Sequence, residues 1–292
     1  MLVTVFTPVY NRERSIRDVY ESLCAQTCKD FEWLVINDGS SDGTDAILDD
    51  VVKRHDNSFP IHYVKKENEG LNRTINRGLD LAQGTLFMRL DSDDTALPDA
   101  VENIVANYGK IADRPDLCAI AFYPLDAKGN RVGMHPFDND FITDFTAYRD
   151  KYGATGDRSE VMKVDVFRKF KFPEYPGEKF CAEGLVWNRI ARKYNCLYIN
   201  KPLYQKGDAD DTITADVYNH LKRNCQATTQ YYLEIMTDER CSFKYRWINA
   251  VKYYRYAFFA KRPIFKGIPL SLALFGLPVG LLVVVYDKIK HG

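Results

Sequence analysis

Three aspartates stand close together in Asp91-Ser92-Asp93-Asp94, directly behind the apolar run Leu86 to Leu90. Like charges this near repel one another unless a cation joins them. Carboxylate oxygens suit Mg²⁺ or Mn²⁺, and Mg²⁺ is usually held by one or two carboxylates with substrate phosphates completing its shell. Asp91 and Asp93 are therefore candidate ligands of a divalent cation bound together with a diphosphate. The same residues also read as a solvated turn in which Asp94 or Thr95 caps the next helix. Asp38 follows a second apolar run and precedes Gly39-Ser40-Ser41-Asp42-Gly43. It can accept from the N–H of a nucleobase, or close an Asx turn. Asn68-Glu69-Gly70 lets backbone approach a ligand, and Arg73 just beyond can reach a phosphate or a base.

Other chemistries find no support. No Gly-x-Gly-x-x-Gly follows the first apolar run, there is no P-loop, and a serine elbow is absent. The five histidines (His55, His62, His135, His220, His291) form no metal-ligand pattern. Seven scattered cysteines without zinc-like pairing read as free thiols in a reducing cytosol. The N-terminus enters an apolar strand at once, so no secretion signal is expected. With 46% apolar and 27% charged residues in a chain of 292, the composition is that of a globular protein with a real core.

Repeating β-α units must position these residues. Leu2 to Phe6 reads as a strand ending at Thr7-Pro8, since Pro cannot continue a central strand. A helix is expected over 14–26. A strand follows over Phe31 to Ile36, then a helix capped by Ser41 or Asp42, with Ala46, Ile47, Val51 and Val52 inward. Ile61 to Lys65, Leu71 to Ala82 and Leu86 to Leu90 continue as strand, helix and strand. This alternation argues for a parallel α/β sheet, where ligands bind beyond the carboxyl ends of the strands. The unusual polar residues fall there, on four loops expected to meet at one crevice.

Thr7-Pro8-Val9-Tyr10-Asn11, Asn37 to Thr44, Asn68-x-Gly70-x5-Asn76-x-Gly78 and Leu90-Asp91-Ser92-Asp93-Asp94, in this order, resemble the family 2 glycosyltransferases of the GT-A fold. The resemblance covers about the first 110 residues. It implies an α/β, Rossmann-like, mostly parallel sheet flanked by helices, and a nucleotide-sugar donor, usually a UDP-sugar. It assigns Thr7, Pro8, Val9, Asn11, Asp38, Asn68, Gly70, Arg73, Asp91, Ser92 and Asp93 to donor binding. Asp38 would contact uracil, and Asp91 and Asp93 ribose and Mn²⁺ or Mg²⁺. Thr74-Ile75 stand where the family often has Ala-Arg. Farther on, the family places an acidic pair four and five residues before a Trp, its second member being the general base. Counting back from Trp187 gives Glu183, with Ala182 in the first place and Glu178 as the competing carboxylate. Gly156 to Val161 is similar to the segment that closes the acceptor site. Asp208, Asp210 and Asp211 form an acidic loop, read as a donor lid or an ordinary solvated loop.

Net charge is zero, yet from Arg240 onward ten basic residues face one acid, Asp287, leaving 30 basic and 39 acidic before it. Residues 240–266 interleave cations with aromatics, the pattern of an interfacial helix at an anionic surface. Ile268 to Tyr286 is uncharged and mostly apolar, with cations on both sides. A kinked hairpin dipping into the inner leaflet is expected, with a buried core helix as the alternative. The expected layout is a nucleotide-sugar half (1–110), an acceptor half of the same GT-A domain (111–239) and a helical membrane-associated tail (240–292). The acidic body argues against nucleic acid. The expected activity is inverting transfer from a nucleotide sugar to a hydroxyl of a lipid-linked or surface glycan, in the cytoplasm at the inner membrane. A polyprenyl-phosphate sugar synthase, a sugar nucleotidyltransferase and a non-catalytic nucleotide-sugar binder are the alternatives.

Overall fold

A computed structural model of the protein describes residues 1–207 and 217–291. The acidic loop of Asp208, Asp210 and Asp211 lies outside the described residues. The chain opens with β1 (Val3–Val9), α1 (Ile16–Cys24), β2 (Phe31–Asp38), α2 (Thr44–Arg54), β3 (Ile61–Lys66), α3 (Leu71–Leu81) and β4 (Leu86–Arg89). It continues with β5 (Thr95–Ala96), α4 (Ala100–Tyr108), β6 (Leu117–Leu125), β7 (Phe141–Thr143), α5 (Phe145–Asp150) and β8 (Ser159–Lys163). Then come α6 (Val164–Phe167), α7 (Gly184–Ala191), β9 (Asn195–Gln205), α8 (Val217–Arg223), α9 (Cys225–Met236), α10 (Phe243–Ala257) and α11 (Leu270–His291).

Two compact units result. The first holds residues 1–144, 153–171 and 193–207, and all the described strands join in one sheet there. The order is β3-β2-β1-β4-β8-β6-β9-β5, with β7 on β9. From β3 to β4 the strands run parallel, so their carboxyl ends share one edge. Every residue of β1 and β2 is buried, as expected of strands covered on both faces.

Two expectations about these strands need correction. β1 runs through Pro8, which pairs with Ile36. The amides of Leu86 and Leu90 bond to the carbonyls of Leu2 and Phe6, so even-numbered residues of β1 face β4. That pairing stops at Phe6, and the missing N–H of Pro8 costs no ladder bond. β2 likewise runs on to Asp38, paired with Lys66, so Asp38 is the last residue of a strand. The Asp94 or Thr95 cap does not form either, because Thr95 enters β5 and α4 starts behind Asp99. At α2 the Asp42 carboxylate does take the Thr44 amide, at 3.0 Å, although Gly43 holds the cap position.

The second unit holds residues 145–152, 172–192 and 217–291 and is helical. Tyr232, Met236, Ala250, Tyr253, Tyr254, Tyr256, Leu272 and Ala273 are buried together in its core. Tyr253, Tyr254 and Tyr256 of α10 are thus interior side chains, which corrects the reading of an interfacial belt at these three positions, while Phe243 is exposed. Tyr253 and Tyr254 donate their hydroxyls to the carbonyls of Pro263 (2.7 Å) and Ile264 (2.8 Å), which satisfies the polar tips of buried rings. The expected hairpin is also corrected: α11 is one helix that continues through Pro278. Gly276 and Gly280 seat it against α10 on either side of that proline.

Candidate active site

The shared edge of β1 to β4 is built from side chains that tie one strand end to the next. Thr7 accepts the Trp33 indole N–H at 3.0 Å and is buried, as are Pro8 and Val9. Asn11 takes a left-handed conformation (φ 53°). Its amide donates to Ser40 at 2.9 Å and its side-chain oxygen accepts from the Ser41 amide at 2.8 Å. Ser15 donates to the Ser92 carbonyl at 2.8 Å, and the Arg12 guanidinium lies 3.7 Å from Asp93. The first, second and fourth loops are thereby joined.

Asp38 joins the third. Its carboxylate accepts the amides of Glu69 and Gly70, each at 2.9 Å, and the Lys66 ammonium. Asn68 donates to the Asp38 carbonyl at 2.9 Å. Gly70 has φ 95°, a conformation that favours glycine, and it opens α3. Arg73 sits half-buried in the first turn of that helix. Ile75 is in the core, and Gly78 lies against the Phe6 ring, where a Cβ would come within 2.5 Å. The Asn76-x-Gly78 spacing is therefore partly a packing feature. Lys66, which bonds the same Asp38 oxygen as the Glu69 amide, escaped the sequence reading because nothing in a strand-end lysine separates it from a solvated one.

At the fourth loop, Asp91 pairs with Arg89 (3.0 Å) and remains partly exposed, as does Asp93. Ser92 is buried between them. Asp94 is 5% exposed and accepts the Gly207 amide at 3.1 Å. Burial, reinforced by the charges of Asp91 and Asp93, pushes its pKa up to about 7. A side chain on Gly207 would collide with the Asp93 carbonyl. Sequence alone gave no sign that Gly207 meets this turn.

Two accessible carboxylates, with a third buried beside them, make a hard-oxygen donor set suited to Mg²⁺ or Mn²⁺. Among the described residues no group of three or more His, Cys, Asp or Glu is placed to hold an ion unaided. Asp91 and Asp93 are the side chains that would hold such an ion, with a ligand's phosphates completing its shell.

In the helical unit Glu183 stands at the start of α7, half-buried, with its carbonyl accepting from Val186 (2.9 Å) and Trp187 (3.1 Å). Glu178, the competing carboxylate, is engaged elsewhere: it accepts the amides of Gln226 (2.7 Å) and Ala227 (2.9 Å) at the start of α9. The Asn224 side chain accepts from Lys179 (3.0 Å) and Phe180 (3.1 Å). These contacts fix the segment that leads to Glu183. Of the stretch Gly156 to Val161, the last three residues form β8 and pair with Phe122, Ala121 and Ile120. These three residues open β8, which runs from Ser159 to Lys163. Asp157, just ahead of it, is held by Lys206.

Comparison with known proteins agrees with this construction. Residues 4–169 match the model of the family described as Glycosyl transferase family 2. The minor teichoic acid biosynthesis protein GgaB of Bacillus subtilis (strain 168) is 29% identical over 176 residues, 59% of this chain and 19% of GgaB. The chain thus spans about a fifth of that relative's length. S. aureus TarS 1–349 in complex with UDP-GlcNAc superposes with a TM-score of 0.70 at 15% identity, covering 99% of this chain and 92% of that one. The mannosyltransferase PcManGT from Pyrobaculum calidifontis, in complex with GDP-Man and Mn²⁺, gives 0.55 at 17%, covering 99% and 76%. The structural likeness establishes the GT-A fold, a mixed α/β sheet flanked by helices. More than half of the chain lies inside the family match, which contains all four strand-end motifs, and the chain accordingly belongs to glycosyl transferase family 2.

Proposed function

We propose that the enzyme moves a sugar from a UDP-linked donor to a hydroxyl of a lipid-linked or surface-glycan acceptor, with inversion at the anomeric carbon. The observation that carries this reading is the joining of four parallel strand ends into one hydrogen-bonded edge. Three of the roughly four lone-pair directions of the Asp38 carboxylate are filled, which leaves one for the imide N–H of uracil. Thr7, Pro8, Val9 and Asn11 form the neighbouring wall, and Asn68, Gly70, Arg73 and Ser92 complete the donor contacts. Asp91 and Asp93 would hold Mn²⁺ or Mg²⁺ together with the diphosphate. A divalent cation bound there compensates the negative charge that builds on the leaving diphosphate.

Glu183 accepts the proton that the acceptor hydroxyl loses as its oxygen attacks. The bond from the anomeric carbon to the acceptor oxygen forms as the bond to the donor phosphate breaks, and UDP departs. A single displacement of this kind inverts configuration. The UDP-GlcNAc complex of TarS and the role in GgaB's name support the donor and acceptor classes. The cation excess after Arg240 and the apolar α11 support a place at the inner face of the cytoplasmic membrane.

A screen of UDP- and GDP-sugars for Mn²⁺-dependent hydrolysis tests the reading. UDP-sugar turnover should depend on Mn²⁺ and vanish in Asp93→Ala. Turnover that survives both EDTA and that substitution would refute the metal role. Glu183→Gln should lose transfer to a hydroxyl; a variant fully active on a polyprenyl phosphate would reassign the acceptor.

A further inference from the structure

One side of α11 is fastened to α10. Leu272 and Ala273 are buried. A Cβ on Gly276 or Gly280 would stand 3.1 Å from Ala250 or 2.5 Å from Tyr254. Asp287, itself buried, accepts two N–H groups of Arg255 at 2.6 and 2.7 Å. The opposite side is apolar and open. Leu274, Phe275, Leu281, Leu282, Val285 and Ile289 are 41–80% exposed and recur at the spacing of one helical face. From Leu270 to Tyr286 the exposed positions carry only Ser271 and the tyrosine hydroxyl as polar groups. At about 1.5 Å per residue this stripe is roughly 24 Å long. Proteins that stay free in water rarely expose a contiguous apolar strip of that length.

We propose that α11 lies along the membrane surface, its apolar stripe sunk among the acyl chains of one leaflet and its other side kept on α10, so that it does not cross the bilayer. This rests on the membrane placement given above and narrows it to a geometry. To cross, α11 would have to strip Asp287 from Arg255, or carry Arg246, Lys252 and Arg255 of α10 into hydrocarbon, where each charge is strongly disfavoured. The charge pattern selects lipid over a second copy of the chain. Arg240 onward carries ten cations and one acid, and that acid is already occupied by Arg255. Two such faces would repel each other, whereas an anionic leaflet attracts them. Lys261, Lys266 and Lys290 are exposed and available to headgroups.

Flotation of the full chain with sealed phosphatidylcholine–phosphatidylglycerol vesicles, followed by protease treatment, provides the test. A cleavable epitope is added at the C-terminus. Wild type should float, less so at high salt, with the epitope open to protease added outside. Phe275→Glu/Leu282→Glu should lower the bound fraction by about tenfold or more, while still hydrolysing the UDP-sugar donor in solution. That last readout keeps a failed membrane geometry distinct from a failed enzyme assignment. A protected epitope would mean a span. Equal flotation of the double variant would mean that another surface binds. A soluble wild-type dimer that the double variant breaks into monomers would mean that a second copy covers the stripe. Each of these outcomes overturns the proposal.

Discussion

Asp38 accepts two backbone amides and an ammonium while almost wholly buried, so it holds the third loop in place before any donor arrives. Asp38→Asn keeps the size but turns one oxygen into a donor facing another donor. The expected cost is about 1–3 kcal/mol, the penalty for one buried unsatisfied group, read from urea unfolding, with weaker UDP binding by titration. Unchanged stability would show that the loop is held by other contacts. His135 supplies a test by pH. Burial, with Arg131 and Arg158 nearby, pushes its pKa down from 6.5 to about 4. The unfolded chain therefore binds a proton between those values that the folded chain refuses. Stability should fall as pH drops through 6.5 toward about 4, and the contribution is constant above 6.5. In His135→Phe this part of the acid loss should vanish. Asp94 acts with the opposite sign in both proteins, so it cancels in the difference. Parallel stability curves from neutral to acid pH would remove His135 as the cause.

At the scale of elements, the start of α9 depends on a side chain from outside the helix. Both oxygens of Glu178 cap its first amides, where an anion also meets the positive end of the helix dipole. Glu178→Ala should lower stability by about 1–2 kcal/mol, the usual cost of a lost cap. Turnover should fall as well, through a displaced Glu183, and Glu178→Asp should recover part of it. A variant of normal stability and no activity would instead place Glu178 in the chemistry. The same pair shows where sequence stops being enough. Composition presents two glutamates five residues apart as equals, and only the partners on α9 tell them apart. The buried strands were legible because continuous apolar runs such as Trp33 to Ile36 satisfy only a sheet covered on both faces. Pro8 was misjudged because the side on which a strand loses its neighbour is a property of the sheet. The tyrosines of α10 were misjudged for a similar reason: an aromatic belt and an aromatic core have the same composition, and partners such as Pro263 and Ile264 decide between them.

At the scale of the whole molecule, the donor residues and the proposed base belong to separately packed units. Asp38, Asp91 and Asp93 are in the sheet unit, and Glu183 is in the helical unit. A ligand that binds only the folded sheet unit should therefore stabilise that unit selectively. At a hundredfold excess over its Kd the gain is about 2.7 kcal/mol. For a unit of this size each kcal/mol moves Tm by about 2–4 °C, so an upward shift of roughly 5–10 °C is expected. If the proposed ion is shared with the phosphates, UDP and Mn²⁺ together should shift the calorimetric transition of the sheet unit by more than the sum of either alone. In Asp93→Ala the cooperative part should disappear while a smaller shift from UDP, held through Asp38, remains. Glu183→Gln should leave the whole effect intact, since Glu183 belongs to the helical unit and is proposed to act on the acceptor. Equal shifts with and without Mn²⁺ in wild type would show that the diphosphate is held without an ion, and would point to cations such as Arg12, Arg89 and Lys206 as its counter-charges.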